Sequence, residues 1–368
     1  ISFEDGIKNR LRTSSHVIAE PKSPLRAHKL VEKERTYIPT SVGADGFVYG
    51  VVEGSNKIWR SEDGMSTIEE VEQDFYEYGD WYPYWVTKTH SGYVVITGAR
   101  YADGNPNVGA IYFGEEFDGP YERKTGFTPN HTPCEFGITC YHGITKGEQI
   151  ILVAERGFPT GSEERGKIRG TFDGGQTWEV LKNVEVEDPN ENTHFHTAVY
   201  DPYRGRIWAS QGDGDNAMLL ISDDLGETWR RIFPENKVGR VNFQPTLLLP
   251  LANNIIYGAD SSPGNVGLWK IPVDKMYNGF VENFSLEKGA FCWDQVIGYH
   301  NYPISSFAVD GNIAYCSMPS RYQSGKSFVM ATGDGGNTWH TVAGFNYSQV
   351  LSRGIVGPDN SGFLYGVW

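Results

Sequence analysis

The sequence is short of methionine, with 5 residues in 368, and only 21% of its side chains are charged, whereas 44 residues are glycine and 14% are aromatic. That balance of strand and turn formers excludes a helical bundle and a disordered chain. Basic charge is scarce as well: 32 Lys and Arg stand against 46 Asp and Glu, a formal net charge of −14. Such a surface repels phosphate backbones and anionic lipid heads, so neither nucleic acid nor a membrane is an expected partner. No apolar run approaches the length of a spanning helix, and the first residues lack the basic-then-apolar layout of a signal peptide. The expectation is a secreted or extracellular protein whose export signal has been removed. Cysteine is also sparse. Cys134, Cys140, Cys292 and Cys316 are too few for a disulfide scaffold and show no CxxC spacing for zinc. Three N-glycosylation triplets, starting at Asn130, Asn283 and Asn346, are compatible with secretion and carry no further weight.

What the sequence has instead is a repeat. Thr171-Phe-Asp173-Gly-Gly175-Gln-Thr177-Trp178 returns as Ser222-Asp-Asp224-Leu-Gly226-Glu-Thr228-Trp229 and as Thr332-Gly-Asp334-Gly-Gly336-Asn-Thr338-Trp339. A weaker copy is Ser61-Glu-Asp63-Gly-Met65-Ser-Thr67-Ile68. The aspartates are spaced by 110, 51 and 110 residues, so each longer gap reads as two units with a degenerate copy in the middle. In each copy the hydroxyl and carboxylate can satisfy the N–H groups of their own turn, glycine can take φ > 0, and tryptophan can wedge between neighbouring sheets. These residues are therefore expected to be scaffold.

The pattern resembles the Asp-box (BNR) repeat of sialidase-like β-propellers. That resemblance implies an all-β chain folded as one propeller domain over residues 1–368, with four-stranded antiparallel blades. Seven second strands stack on one another, at Phe47–Glu53, Val94–Arg100, Ile150–Arg156, Ile207–Asp213, Ile255–Ser261, Ile313–Pro319 and Phe363–Trp368. The expected fold is a seven-bladed β-propeller. Its closing blade would be shared by the C-terminal strand and N-terminal strands near residues 15–19 and 25–31, which hides two sheet edges.

In such propellers the Asp-box turn joins a blade's third and fourth strands, so first strands start and second strands end on the opposite rim. Functional side chains are expected there. Second strands end at Glu53, Arg100, Glu155, Arg156, Asp213 and Asp260, with Arg321 just beyond the sixth. First strands start near Arg35, Tyr84, Glu135, His194, His196, Arg240, His300 and Arg353. Arg100, Arg156 and Arg321 come from three blades of an acidic protein and could form an anion clamp, because the guanidinium fork suits a carboxylate or sulfate. The alternative is that each pairs with a neighbouring rim acid and has no other role.

His194 and His196 share a strand face, being two residues apart. Three uses of the pair stay open: proton transfer near neutral pH, a His/His/Asp site with Asp213 for a divalent cation such as Ca2+ or Zn2+, and plain hydrogen bonding in the channel. His142 falls near the far end of its strand and His131 is read as lying in a long loop, so neither is favoured. Aromatics are dense near this rim, from Tyr76 to Trp85 and again at Trp293, Tyr299, Tyr302 and Tyr322, offering flat faces for sugar rings as well as ordinary packing.

The resemblance implies a carbohydrate-active protein. True sialidases have six blades and a Phe/Tyr-Arg-Ile-Pro string, while this chain has Arg35-Thr-Tyr37-Ile38-Pro39 and seven stacked strands, nearer to seven-bladed lyases and hydrolases. The leading expectation is β-elimination on an acidic, uronate-containing polysaccharide by a monomer. In that scheme His194, His196, Tyr84 and Glu155 are the catalytic candidates, and Arg100, Arg156, Arg321, Asp213, Asp260, Glu53 and His300 the substrate-binding ones. A glycoside hydrolase with paired carboxylates and a non-catalytic glycan binder are the alternatives.

Overall fold

The computed structural model describes residues 37–72, 81–92, 94–102, 105–127, 131–142, 149–157, 166–184, 193–212, 217–231, 245–259, 267–272, 276–277, 280–281, 287–288, 305–308, 311–318, 327–345, 355–359 and 362–366. Regular structure among them is entirely β-strand, in six four-stranded sheets and two ribbons. They divide into two compact units, one running to Ala198 and including Val356–Gly366, the other covering Val199–Ile355.

In the first unit, sheet one orders β1 (Tyr37–Val42), β2 (Val48–Val52), β3 (Lys57–Ser61) and β4 (Glu69–Glu72). Sheet two follows with β5 (Trp81–Lys88), β6 (Val94–Ala102), β7 (Asn105–Gly114) and β8 (Tyr121–Gly126). Sheet three holds β9 (His131–His142), β10 (Gln149–Gly157), β11 (Lys167–Thr171) and β12 (Glu179–Asn183). Sheet four, β13 (His194–Asp201), β14 (Arg206–Gly212), β15 (Met218–Ser222) and β16 (Arg230–Arg231), belongs to the second unit from Val199 onward. In the second unit, sheet five joins β17 (Pro245–Pro250), β18 (Asn254–Ala259) and β19 (Gly267–Pro272), then a ribbon of β20 (Met276–Tyr277) and β21 (Phe280–Val281), and closes with β22 (Glu287–Lys288). Sheet six holds β23 (Ser305–Ala308), β24 (Ala314–Met318), β25 (Ser327–Thr332) and β26 (His340–Phe345). The last ribbon, β27 (Ile355–Val356) and β28 (Tyr365–Gly366), belongs from Val356 onward to the first unit. Each of the seven stacked segments of the sequence overlaps one of these strands. The N-terminal strands expected near residues 15–19 and 25–31 lie outside the described residues.

The four Asp turns share one hydrogen-bond network. In the weakest copy, the Ser61 hydroxyl donates to Asp63 Oδ1 at 3.0 Å and accepts from Met65 N at 2.9 Å, while Thr67 gives its N–H to Oδ1 and its hydroxyl to Oδ2. The turns at Asp173, Asp224 and Asp334 repeat these contacts. Donation from the Thr67 backbone holds the Asp63 carboxyl below its usual range. At Asp224 and Asp334 burial pushes the other way and the turn's own donors outweigh it. Two successive residues of each turn sit at positive φ; they are glycines except for Met65 (φ 63) and Leu225 (φ 59). Leu225 is fully buried, so packing compensates a backbone conformation that usually selects glycine.

Two of the turns also pack on the sheet before them. Gly175 lies so close to Val95 that a Cβ there would sit 2.6 Å from Cγ2, and Trp178 adjoins the Val95–Phe113 cluster of sheet two. Trp339, 1% exposed, joins Leu251, Ile256 and Leu268 of sheet five. The degenerate copy in sheet two replaces tryptophan by Phe117, which meets Tyr49 edge-on at 5.9 Å and lies under the Arg60 guanidinium. Sheet one's turn follows suit: Met65 and Ile68 pack with Tyr365 and Val356 of the C-terminal ribbon. First strands are stitched to one another by hydroxyls, from Ser41 to Val86 O at 2.7 Å and from Thr139 to Ala198 O at 2.6 Å.

Candidate functional site

Three first strands share an irregularity, a bulge just after a proline. The register shifts between Pro39 and Ser41, between Pro83 and Trp85, and between Pro245 and Leu247. Bulges re-aim side chains at sheet ends, where sites are often built. The half-buried Tyr84 is the bulged residue of β5. In sheet three the excursion is longer, with Pro133 opposite Glu155 and Ile138 opposite Val153.

Partners across that bulge are small in other sheets: Gly50 faces Pro39, Gly98 faces Pro83 and Ala259 faces Pro245. Sheet three puts Glu155 there. Its carboxylate is fully buried and accepts a 2.5 Å bond from Arg169 Nε, while Arg169 Nη1 donates to the Thr125 hydroxyl of β8 at 3.1 Å. The other oxygen, Oε2, accepts nothing among the described residues. Arg169 was not singled out by the sequence, because it is interior to a third strand and no rim position marks it. The ion pair thus ties sheet three to sheet two and uses an oxygen that hydrolytic chemistry would need.

Polar burial at this end continues along the next first strand. Thr193, His194, His196 and Thr197 are all buried, as are His131 and Thr132 at the start of β9. His194 and His196 do share a face, with ring centroids 4.8 Å apart at 66°. His131 requires a correction: it does not lie in a loop but begins β9, paired with Gly157 and 2% exposed. The signal that could have shown this is the string Asn130-His131-Thr132-Pro133, which repeats the proline-bulge pattern of Tyr37-Ile38-Pro39 and Trp81-Tyr82-Pro83.

Arg156, next to Glu155, is exposed, and so is Glu53 just past β2. Arg100 lies in β6, paired with Trp81 and Val108. Glu135 falls within the excursion of β9. Asp213, Asp260, His300 and Arg321 lie outside the described residues, as do Arg35, Arg240 and Arg353. Among the described residues no group of three or more His, Cys, Asp or Glu side chains could hold a metal ion. Cys134, Cys140 and Cys316 are free of disulfides, and no described helix could cross a membrane.

The opposite end of sheet three holds a second polar cluster. His142 ends β9 facing Gln149, and Gln149 bridges to Asp173 of the Asp turn. The His90 backbone N–H donates to Gln149 Oε1 at 2.7 Å, which fixes the amide so that its NH2 group donates to His142 Nδ1 at 2.6 Å. His142 therefore carries its proton on Nε2, 3.4 Å from Cys140 Sγ. The layout resembles a cysteine–histidine nucleophile, yet the electrostatics oppose it. Burial pushes the Cys140 thiol up to about 12, and burial followed by the nearby His90 lowers His142 to about 4. Both partners are neutral near pH 7, and the thiolate that attack requires is absent.

No protein-family model matches the chain, and no curated protein matches it. Solved structures do resemble it. YCF48 from Cyanidioschyzon merolae aligns with a TM-score of 0.51 at 13% identity, over 86% of this chain and 88% of that one. The GH74 xyloglucanase from Xanthomonas campestris aligns with a TM-score of 0.55 at 12% identity, over 86% of this chain but 46% of the xyloglucanase. YCF48 bound to D1 peptide gives 0.52 at 13% identity, covering 89% and 88%. The fold is a β-propeller. At these identities the likeness shows the fold alone, and the neighbours include an enzyme and a peptide-bound protein.

Proposed function

We propose that this propeller is a secreted, carbohydrate-active enzyme that cleaves an acidic, uronate-containing polysaccharide by β-elimination at the first-strand starts of sheets three and four. The observation that carries the reading is the concentration of buried imidazoles and hydroxyls at that end, where the positions matching His131 and Thr132 are Tyr37 and Ile38 in sheet one and Trp81 and Tyr82 in sheet two. Elimination needs a proton acceptor and a cation to stabilise charge on the uronate carboxyl group. His194 or His196 supplies the first, and the exposed Arg156 belongs to the arginine clamp. Hydrolysis needs two carboxylates facing each other across the sugar, and Glu155 is committed to Arg169. The ribbon packing on sheet one's Asp turn supports a seven-bladed ring, with β27 and β28 in the last blade.

The test is a panel of uronate-containing and neutral polysaccharides, followed by ultraviolet absorbance and by reducing ends. A new unsaturated product with matching reducing ends supports elimination. Reducing ends alone mean hydrolysis, and no product from any substrate means a glycan or peptide binder. Activity lost on chelation and restored by Ca2+ or Zn2+ would turn the His pair into a cation site.

A further inference from the structure

We propose that Thr132 completes the uronate clamp: its hydroxyl donates to one oxygen of the sugar carboxylate while Arg156 faces the other, on the side of sheet three that borders β13. The proposal rests on the reading above of the ligand as a uronate, and adds the residue that separates it from a neutral sugar.

The pairing of β9 with β10 sets the face. Thr139 stands opposite Leu152, and Thr132 stands opposite Arg156. Partners across an antiparallel ladder share a face, and residues four apart on one strand point the same way. Thr132 and Arg156 therefore lie on the face from which the Thr139 hydroxyl donates to Ala198 O of β13 at 2.6 Å. Glu155, one residue earlier, turns to the other face, where it pairs with the Arg169 that reaches Thr125 of sheet two. The same pairing sets the level. Arg156 lies four residues from Leu152 along β10, and β13 starts at His194, four residues before Ala198. Neighbouring first strands advance together, as the Ser41 hydroxyl on Val86 O and the Ala44 N–H on Lys88 O show for β1 and β5. Thr132 and Arg156 thus come level with the start of β13 on that side of sheet three.

Chemistry selects the ligand. Thr132 is 5% exposed and its hydroxyl makes no hydrogen bond among the described residues, whereas the hydroxyls of Thr125 and Thr139 are both engaged. A buried hydroxyl without a partner is costly, so a ligand oxygen that accepts from it is favoured there. Arg156, its partner across the ladder, is exposed and brings the charge. A carboxylate has two accepting oxygens, one for the guanidinium and one for the hydroxyl, and bonds to an ionised acceptor are about twice as strong as neutral ones. The primary alcohol of a neutral sugar has a single oxygen and no charge. The pair therefore discriminates between an acid and an alcohol at C-6.

The experiment measures binding and cleavage of galacturonate, guluronate and glucuronate oligomers, each beside its C-6-reduced neutral counterpart. The full chain is made in bacteria, so that loss of the glycosylation triplet at Asn130 plays no part. Wild type should bind one of the acids more tightly than its alcohol. Thr132→Val should weaken binding of that acid by about 10- to 100-fold and leave the alcohol unchanged. Thr132→Ser, which keeps the hydroxyl, should bind both as wild type does. Where wild type forms unsaturated product, kcat/KM on the acid should fall in Thr132→Val and recover in Thr132→Ser. Should Thr132→Val not fold, Thr132→Ala gives the same comparison. Equal weakening of acid and alcohol, equal loss in the Ser and Val variants, or wild-type affinity for the acid in Thr132→Val overturns the assignment. Acid-selective binding that depends on Thr132 without any unsaturated product removes the lyase reading and leaves the clamp. Unsaturated product formed by Thr132→Val at the wild-type rate does the reverse, and a wild type that binds no uronate ends both.

Discussion

At the scale of single residues, His142 makes the stability of the fold depend on pH. Its folded value of about 4 lies below the unfolded value near 6.5, chiefly through burial. Between those two values the unfolded chain binds a proton that the native ring refuses. The stabilisation is therefore complete above pH 6.5 and is lost progressively towards pH 4, by about 3 kcal/mol in all. Urea unfolding across that window should show the loss in wild type and a flatter profile in His142→Gln; parallel profiles would exclude the assignment. Glu155 gives a second residue-level prediction. Glu155→Gln leaves Arg169 buried beside an uncharged amide, and removing one partner of a buried ion pair costs about 3–5 kcal/mol. Once folded at low temperature the variant should retain turnover, whereas a carboxylate hydrolase would lose it. The sequence marked Glu155 and the His pair by strand position alone. It could not mark Arg169 or Gln149, whose roles come from contacts across sheets and strands that no local pattern encodes.

Elements in this fold are held by their turns. Trp339 is 1% exposed against sheet five while Trp178 is half-buried, so Trp339→Ala should cost about 3–5 kcal/mol and Trp178→Ala less. Calorimetric melting of the two variants checks the order. Reversal of that order would mean that the wedges do not carry the packing. Gly175 and Gly54 form a sharper pair, because both have positive φ but only Gly175 faces a neighbour within contact. Gly175→Ala adds a clash with Val95 to the backbone strain, whereas Gly54→Ala carries strain of about 1 kcal/mol alone. The strong copies of the turn were legible because one network of side-chain and backbone groups demands Ser or Thr, Asp and Thr at fixed spacing. The copy built on Phe117 was not legible, since packing on Tyr49 and Arg60 replaces the motif. The proline bulges were equally hidden, for a bulge follows from pairing and His131 was misplaced with them.

For the whole molecule, seven periodic second strands were enough to expect a propeller, because their period reflects a repeated sheet and no chemistry. Tyr365 of the last ribbon is 9% exposed, packs on Met65 and Trp59, and donates to Asp359 at 2.6 Å. Deleting residues 355–368 should uncover that apolar surface of sheet one, lowering the melting temperature and promoting aggregation. A truncated chain that melts like wild type would argue against closure through the ribbon. Function was less legible than fold, since the motif that repeats is structural and the residues proposed for chemistry occur once each. The most direct test of the central claim is the rate at which unsaturated uronate forms with wild type and with the His194→Ala/His196→Ala double variant. The account predicts a product absorbing in the ultraviolet from wild type and a loss of about 10²- to 10⁴-fold in the variant at an unchanged melting temperature. Cleavage without that chromophore, or a folded double variant that works as fast as wild type, would contradict it.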